Sequence, residues 1–367
     1  MGRVRPTRPN RYSPHRHALA PLLPGAPENA LPSSCAYAAA TGEDDFTTFL
    51  ISQGLAPLWG EQIHRFEGSL PLSQQTRDRL HQSHLGTTGI YLLQRHNLQL
   101  AGEILNEANI PHAVIKGSHT RELYYDTPAL RPAVDIDILV KPGDSLSAIK
   151  AFQRQGFEFN ALAQNISHEC NLVKGKTAID LHWDIMRPGR TREPMTNALL
   201  DNRVNYSSHC GLDHAGTLFL MLVHPVFAKY STTPHAALVR LVDLAQLLHR
   251  FPESTEATVP LLQRAGLATA GWITLTWLDL LTDNPRARSL AGKLEPGRLR
   301  RYYLRSWLAR DLSTRLLGSP LLIQLGFTLP AHDRFSDAVS ALLQARRYRQ
   351  AADTTLAATQ EQLVSTS

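Results

Sequence analysis

Residues 114–140 read VIKGSHTRELYYDTPALRPAVDIDILV, and within that stretch VDIDILV (134–140) sets two aspartates into an aliphatic run. Aspartate is a poor strand former and is costly to bury without a partner. Alternate side chains of a strand share one face. The pattern therefore turns Val134, Ile136, Ile138 and Val140 into a core and projects Asp135 and Asp137 together from the opposite face. Their Cα atoms would lie about 7 Å apart, at twice the strand rise. Two carboxylates so placed suit a hard divalent cation, which takes oxygen ligands from carboxylates and substrate phosphates. A solvated edge strand would show the same alternation, so the neighbouring sequence has to decide.

Upstream, HAVIK runs into Gly117-Ser118 and then a helical stretch, SHTRELYY. Glycine allows close backbone approach, and the free N–H groups of a helix start attract phosphate. Downstream, NLVKGKTAIDLHWDI reads as a hairpin. In its second arm Ile179 and Leu181 face a core, and Asp180, His182 and Asp184 share the other face. A third carboxylate on a neighbouring strand would complete a two-metal site. Three converging carboxylates repel, so at least one should hold its proton more tightly than usual, and Asp137→Asn should leave metal-free stability unchanged or slightly improved.

Strand, Gly-Ser, helix, h-Asp-h-Asp-h, then h-Asp-h resembles the nucleotidyltransferase superfamily typified by DNA polymerase β. More narrowly, IKG, LYYDTPALRPAVDIDILV and IDLHW look like a large bacterial family of poorly characterised nucleotidyltransferases. Its members carry Lys-Gly before the turn, an arginine before Asp-x-Asp and a Dlhw-like third strand, which Lys116, Arg131 and His182-Trp183 match. The resemblance spans about residues 45–250, with its specific motifs in 114–184. The interval from Ser118 to Asp135 is longer than is common in the superfamily, and the narrower family tolerates it. The resemblance implies that Asp135, Asp137 and Asp180 bind Mg²⁺ or Mn²⁺ and carry catalysis. Gly117, Ser118, Lys116 and Arg131 would contact the nucleotide, with Lys116 and Arg131 each equally well placed as a structural ion pair. The implied reaction moves a nucleoside monophosphate from an NTP, expected to be ATP, to the hydroxyl of a small molecule, peptide or protein. An RNA- or tRNA-end transferase and a non-catalytic nucleotide-binding module are the alternatives.

The surroundings imply an α+β fold, a small mixed-sheet core flanked by helices. The expected division is a disordered Pro/Arg-rich tail at 1–40, helices at 41–110, the α+β core at 111–205, a helical domain at 206–350 and a tail at 351–367. Within 73–110, Leu92, Leu93, Leu98, Leu100, Ile104 and Leu105 recur at helical steps. The net charge of +6 is mostly a property of residues 1–32, where five arginines face one glutamate. The near-neutral remainder disfavours nucleic acid as partner. The basic aromatic segment at 297–315 reads first as a solvated face over an aromatic core stripe, and RRYR at 346–349 is a weaker copy.

Three scattered cysteines with no CxxC suit a reducing cytoplasm and argue against a cysteine zinc site. The longest apolar run, at 218–228, is too short to cross a membrane. His209 and His214 are a weak metal signal, better read as a polar loop, and His224 reads as a core histidine. Arg240 and Asp243 are spaced for an i,i+3 ion pair. Walker A, dinucleotide and GxSxG sequences are absent.

Overall fold

The computed structural model describes residues 11–160, 168–187 and 189–344. The expected tail at 351–367, RRYR at 346–349 and the first ten residues lie outside them. The chain opens with α1 (Ser13–Leu19), α2 (Ala30–Thr41), α3 (Glu43–Ser52), α4 (Ala56–Arg65) and the long α5 (Gln74–Glu107). Disorder up to residue 40 is therefore corrected from Ser13 onward. Proline in the first turn of α1 starts the helix rather than breaking one. Ala18, Leu19, Leu31, Cys35 and Ala38 are buried, and Trp59 Nε1 donates to the Ala18 carbonyl at 2.8 Å.

The α+β part follows: β1 (His112–Ile115), α6 (Lys116–Tyr124), β2 (Ile136–Val140), α7 (Ser145–Arg154), β3 (Glu158–Asn160), β4 (Glu169–Lys174), β5 (Thr177–His182), α8 (Thr196–Asp201), β6 (Val204–Asn205) and β7 (Cys210–Gly211). These strands form one mixed sheet in the order β3-β4-β5-β2-β1-β7-β6. Its last strand lies past the expected boundary at 205. The helices α9 (His214–Lys229), α10 (Val239–Arg250), α11 (Ser254–Ala265), α12 (Ala268–Thr282), α13 (Pro285–Lys293), α14 (Arg298–Ala309), α15 (Leu312–Arg315) and α16 (Pro320–Ile323) complete the chain. The molecule is thus α+β, as expected.

Alternation along the strands divides the sheet between two cores. On one face Val114, Ile136, Ile138, Val140, Ile179 and Leu181 pack with Leu98, Ile104 and Leu105 of α5 and with Ile149 and Phe152 of α7. On the other, Ala113, Ile115 and Leu139 join a core built from helices that precede and follow the sheet. The expected α5 stripe is buried only over its C-terminal half. Leu92 and Leu93 are exposed, because at that level the buried face of this 34-residue helix carries Tyr91, Gln94 and Asn97 instead.

Val134 is likewise corrected: it is 92% exposed. The strand starts at Ile136, because β1 is short and its antiparallel pairing ends at Ile115 opposite Asp137. The pairing that matters most is parallel, β2 with β5, and it sets Asp137 directly beside Asp180.

His209 lies in the connection just ahead of β7, and His214 opens α9. Gly211 pairs with Val114, and a Cβ there would overlap the ring of His119. That ring is fully buried on α6, with Nδ1 at 2.7 Å from His209 Nε2 and Nε2 at 2.9 Å from Thr217 Oγ1. Gly211→Ala should therefore cost about 1–3 kcal/mol through overpacking. Thermal melts check this, and an unchanged Tm would show that the ring gives way freely.

Candidate active site

Asp135, Asp137 and Asp180 each present a carboxylate oxygen within 4.8 Å of the others, the one such ligand group among the described residues. Asp135 ends the loop before β2, Asp137 sits inside the strand, and Asp180 lies beside it on β5. Asp180 Oδ1 accepts from Asn171 Nδ2 at 2.7 Å, a bond from the facing residue of β4.

The three are not electrostatically alike. Asp137 is 2% exposed, and burial alone would push its carboxyl up. Its Oδ1 instead receives Lys116 Nζ at 2.5 Å and His182 Nε2 at 2.8 Å, which hold it well below the usual carboxylate range. His182 is in turn 3.0 Å from Glu169 through Nδ1. Burial and Lys116 oppose its charge, and the two carboxylates outweigh them and raise its pKa. Asp135 carries the repulsion that Asp137 escapes through its cationic partners. Burial first, then the Asp137 charge, pushes it up to about 6.

The chain turns sharply to build this clamp. Lys116 has a left-handed backbone, with φ +55°, which costs a non-glycine residue about 1–2 kcal/mol. Burial opposes the ammonium charge and Asp137 outweighs that, raising its pKa. Lys116 thus takes the structural ion pair in this geometry. Ser118 is fully buried, and its hydroxyl donates to the Asp135 carbonyl at 2.8 Å. It latches α6 to the loop that carries Asp135. A Cβ on Gly117 would sit 2.5 Å from Arg131 Nη1, so the glycine makes room for an arginine.

Arg131 also forms a structural ion pair. Its guanidinium grips Asp243 through Nε at 3.1 Å and Nη2 at 2.5 Å and donates to the Pro132 carbonyl at 2.6 Å. Tyr125 donates to the same Asp243 at 2.7 Å. The expected Arg240–Asp243 ion pair does not form, because Arg131 occupies Asp243. Arg240 instead lies 3.1 Å from His224 Nδ1.

That leaves Arg240 facing a cleft of about 820 Å³ over the aspartates, which Lys229, Arg187 and Arg190 also line. Burial, then Arg187, pushes Arg190 down to about 10. Burial, then Arg240 and Lys116, lowers Lys229. Burial, then Arg131, lowers Arg240. The cleft is thus lined both by the acidic cluster and by cations that disfavour one another.

Against that geometry, a family model described as uncharacterised nucleotidyltransferase matches residues 39–283. The chain belongs to this nucleotidyltransferase family. No curated protein and no solved structure matches it. Sequence reasoning about this nucleotidyltransferase missed Glu169 and Asn171, which reach the site across the β4–β5 hairpin, and undervalued Arg240. It also missed Lys229, Arg187 and Arg190, which arrive from a helix end and a connection.

The remaining sequence candidates lie elsewhere. In α14, Trp307 is buried and stacks on Phe327 at 5.8 Å, while Tyr302 is exposed. Arg301 pairs with Glu295, and Arg300 donates to the carbonyls of His332 and Asp333. Cys35, Cys170 and Cys210 are free. Among the described residues, no helix is long and apolar enough to cross a membrane.

Proposed function

We propose that the nucleotidyltransferase moves a nucleoside monophosphate from an NTP to an acceptor hydroxyl, releasing pyrophosphate, with Mg²⁺ or Mn²⁺ held by Asp135, Asp137 and Asp180. The observation that carries this reading is the pairing of an all-oxygen carboxylate cluster with cations lining the same cleft. The donor set fits a hard divalent ion. Asp137 Oδ1 is taken by Lys116 and His182, so its Oδ2 would be the ligand. A divalent ion held by these three aspartates would supply charge neutralisation on the polyphosphate and a lowered pKa for the attacking hydroxyl.

The protein's own groups do the rest. Lys229, Arg187 and Arg240 draw in and orient the polyphosphate, and its negative charge relieves their mutual repulsion. His182, held between Glu169 and Asp137, fixes the Asp137 carboxylate so that its free oxygen faces the cleft. Asp135 and Asp180 accept the hydroxyl proton or lie beside the group that does. The acceptor is a hydroxyl of a small molecule, peptide or protein, and ATP is the expected donor.

Incubation with labelled NTPs, Mg²⁺ or Mn²⁺ and pools of metabolites, peptides and RNA tests this. Pyrophosphate release with label on a metabolite or peptide supports the reading, label on RNA redirects the acceptor, and no pyrophosphate under any condition removes the enzyme. Lys229 makes no ion pair among the described residues, so its removal should spare the fold. Lys229→Ala is expected to weaken Mg²⁺–NTP binding about tenfold, near 1.4 kcal/mol, with Tm unchanged, as calorimetric titration would show.

A further inference from the structure

Behind the cleft lies a second, smaller cavity of about 120 Å³. It is walled by α3, α9, α10 and α12, by the connection from Tyr230 to Leu238, and by Asp311 ahead of α15. Its walls are aromatic and aliphatic, with Phe49, Met221, Leu241 and Trp277 among them. Into this setting come His15, Ser231, Thr232 and Asp311.

Each of those four carries a buried polar atom that no protein group satisfies: His15 Nδ1, Ser231 Oγ, Thr232 Oγ1 and Asp311 Oδ1. Ser231 and Thr232 are more than nine-tenths buried. Ten such atoms occur among the described residues, and four of them line this one cavity. The neighbouring hydroxyls are spent on backbone: Thr233 donates to Lys229, Thr274 to Leu222 and Thr314 to Thr232. Leaving a buried polar group without a partner forfeits its hydration and gains nothing in return, so a concentration of four points to an occupant that meets them together.

The charge pattern selects the occupant. No cation pairs with Asp311 among the described residues. Arg240 borders both spaces, and its Nη1 is bonded to His224, which lines the nucleotide cleft and not this cavity. Burial pushes His15 down to about 4, so it is neutral and adds no positive charge. A lone carboxylate, two free hydroxyls and the faces of Trp277 and Phe49 together suit an ammonium group, through charge-assisted hydrogen bonds and cation–π attraction. By volume the space holds roughly eight waters or a ligand of about as many heavy atoms.

We propose that this cavity is a binding site for a small protonated amine, distinct from the nucleotide cleft and opposite to its basic residues in charge preference. The two spaces share a wall, since Met221, Pro225, Ala237 and Arg240 border both. That wall holds Tyr230, Ser231 and Ala237 with left-handed backbones, at φ +55°, +53° and +48°. Strain of this kind persists where surrounding structure over-determines a site.

The test uses the full chain without metal or nucleotide, so its outcome is independent of the nucleotidyl-transfer reading. Ligand-observed NMR and calorimetric titration are run with ethanolamine, choline and phenethylamine, and with ethylene glycol as the uncharged control. At least one amine should bind one-to-one while the diol does not. Asp311→Asn should weaken that binding about tenfold and the isosteric Thr232→Val about threefold, with melting curves confirming that both variants fold. Asp135→Asn should leave it unchanged. Failure of every amine to bind at about 10 mM, roughly 3 kcal/mol, would mean the cavity holds only water. Binding that survives Asp311→Asn and is lost in Asp135→Asn would place the amine on the acidic cluster instead. Either result overturns the proposal.

Discussion

Asp135→Asn is expected to abolish turnover while making the metal-free protein more stable. The loss of activity should be roughly a thousandfold or more, about 4 kcal/mol of transition-state stabilisation. The stability gain follows from the raised pKa. Burial and Asp137 push this carboxyl from the ordinary 3.8 to about 6, so the folded state holds the proton more tightly than the unfolded chain. Its contribution is therefore full below about pH 3.8 and is lost as pH rises through about 6. Above that the charged group works against folding by about 3 kcal/mol, and asparagine removes the penalty. Melting curves of wild type and variant should separate by several degrees at pH 7.5 and converge toward pH 4. Saturating Mg²⁺ should close the gap by stabilising the wild type alone. Turnover within tenfold of wild type, or a variant less stable at pH 7.5, would remove Asp135 from the site.

The second large effect concerns Asp243. Asp243→Asn keeps the side-chain shape but strands the buried Arg131 guanidinium, which now has Asp243 as its ionic partner. Breaking such a pair costs about 3–5 kcal/mol, or roughly 5 °C in Tm for a chain of this size. The double variant Arg131→Met, Asp243→Leu should recover most of the loss, since an apolar pair avoids the desolvation of both charges. A loss under about 1 kcal/mol in the single variant would show that water reaches the arginine. Arg131 also packs against Gly117 and precedes the Asp135 loop, so the single variant should lose activity below its melting temperature as well.

The contrast with Asp137 shows what sequence can and cannot reveal about a site. Alternation in VDIDILV made the two aspartates visible, and alternation in TAIDLHW made the third. Both rest on the local period of a strand, which needs no knowledge of distant partners. The expectation that Asp137→Asn would be neutral for stability is not what the geometry supports. Asp137 is neutralised by Lys116 and His182, and removing its charge would strand them. The pairing arises because a left-handed turn at Lys116 and the parallel β2–β5 register bring residues from three segments to one oxygen. No spacing rule predicts that.

The same reason explains the Arg240–Asp243 expectation. A helical i,i+3 spacing fixes which residues can meet, but Arg131 reaches Asp243 from a loop more than a hundred residues earlier. The N-terminal helices were misread for a different cause. Composition counts prolines and arginines without their positions, and here Pro14 sits in the first turn of a helix while Arg16 reaches the Leu280 carbonyl at 2.8 Å.

That last contact bears on where this molecule can be divided. The inherited module, as the family match delimits it, runs from 39 to 283, and a gene trimmed to those limits would keep every aspartate of the site. It would not keep the physical unit. Tyr12 and Trp277 stack edge-to-face at 4.8 Å across the two cuts' inner and outer sides, and Leu19, Cys35, Leu304 and Phe327 belong to one continuous apolar interior with Leu222 and Ile273. Trimming would lay bare that interior on two sides at once. Shared ancestry and cooperative folding draw different borders on this chain, and the wider one has to be respected when the protein is produced.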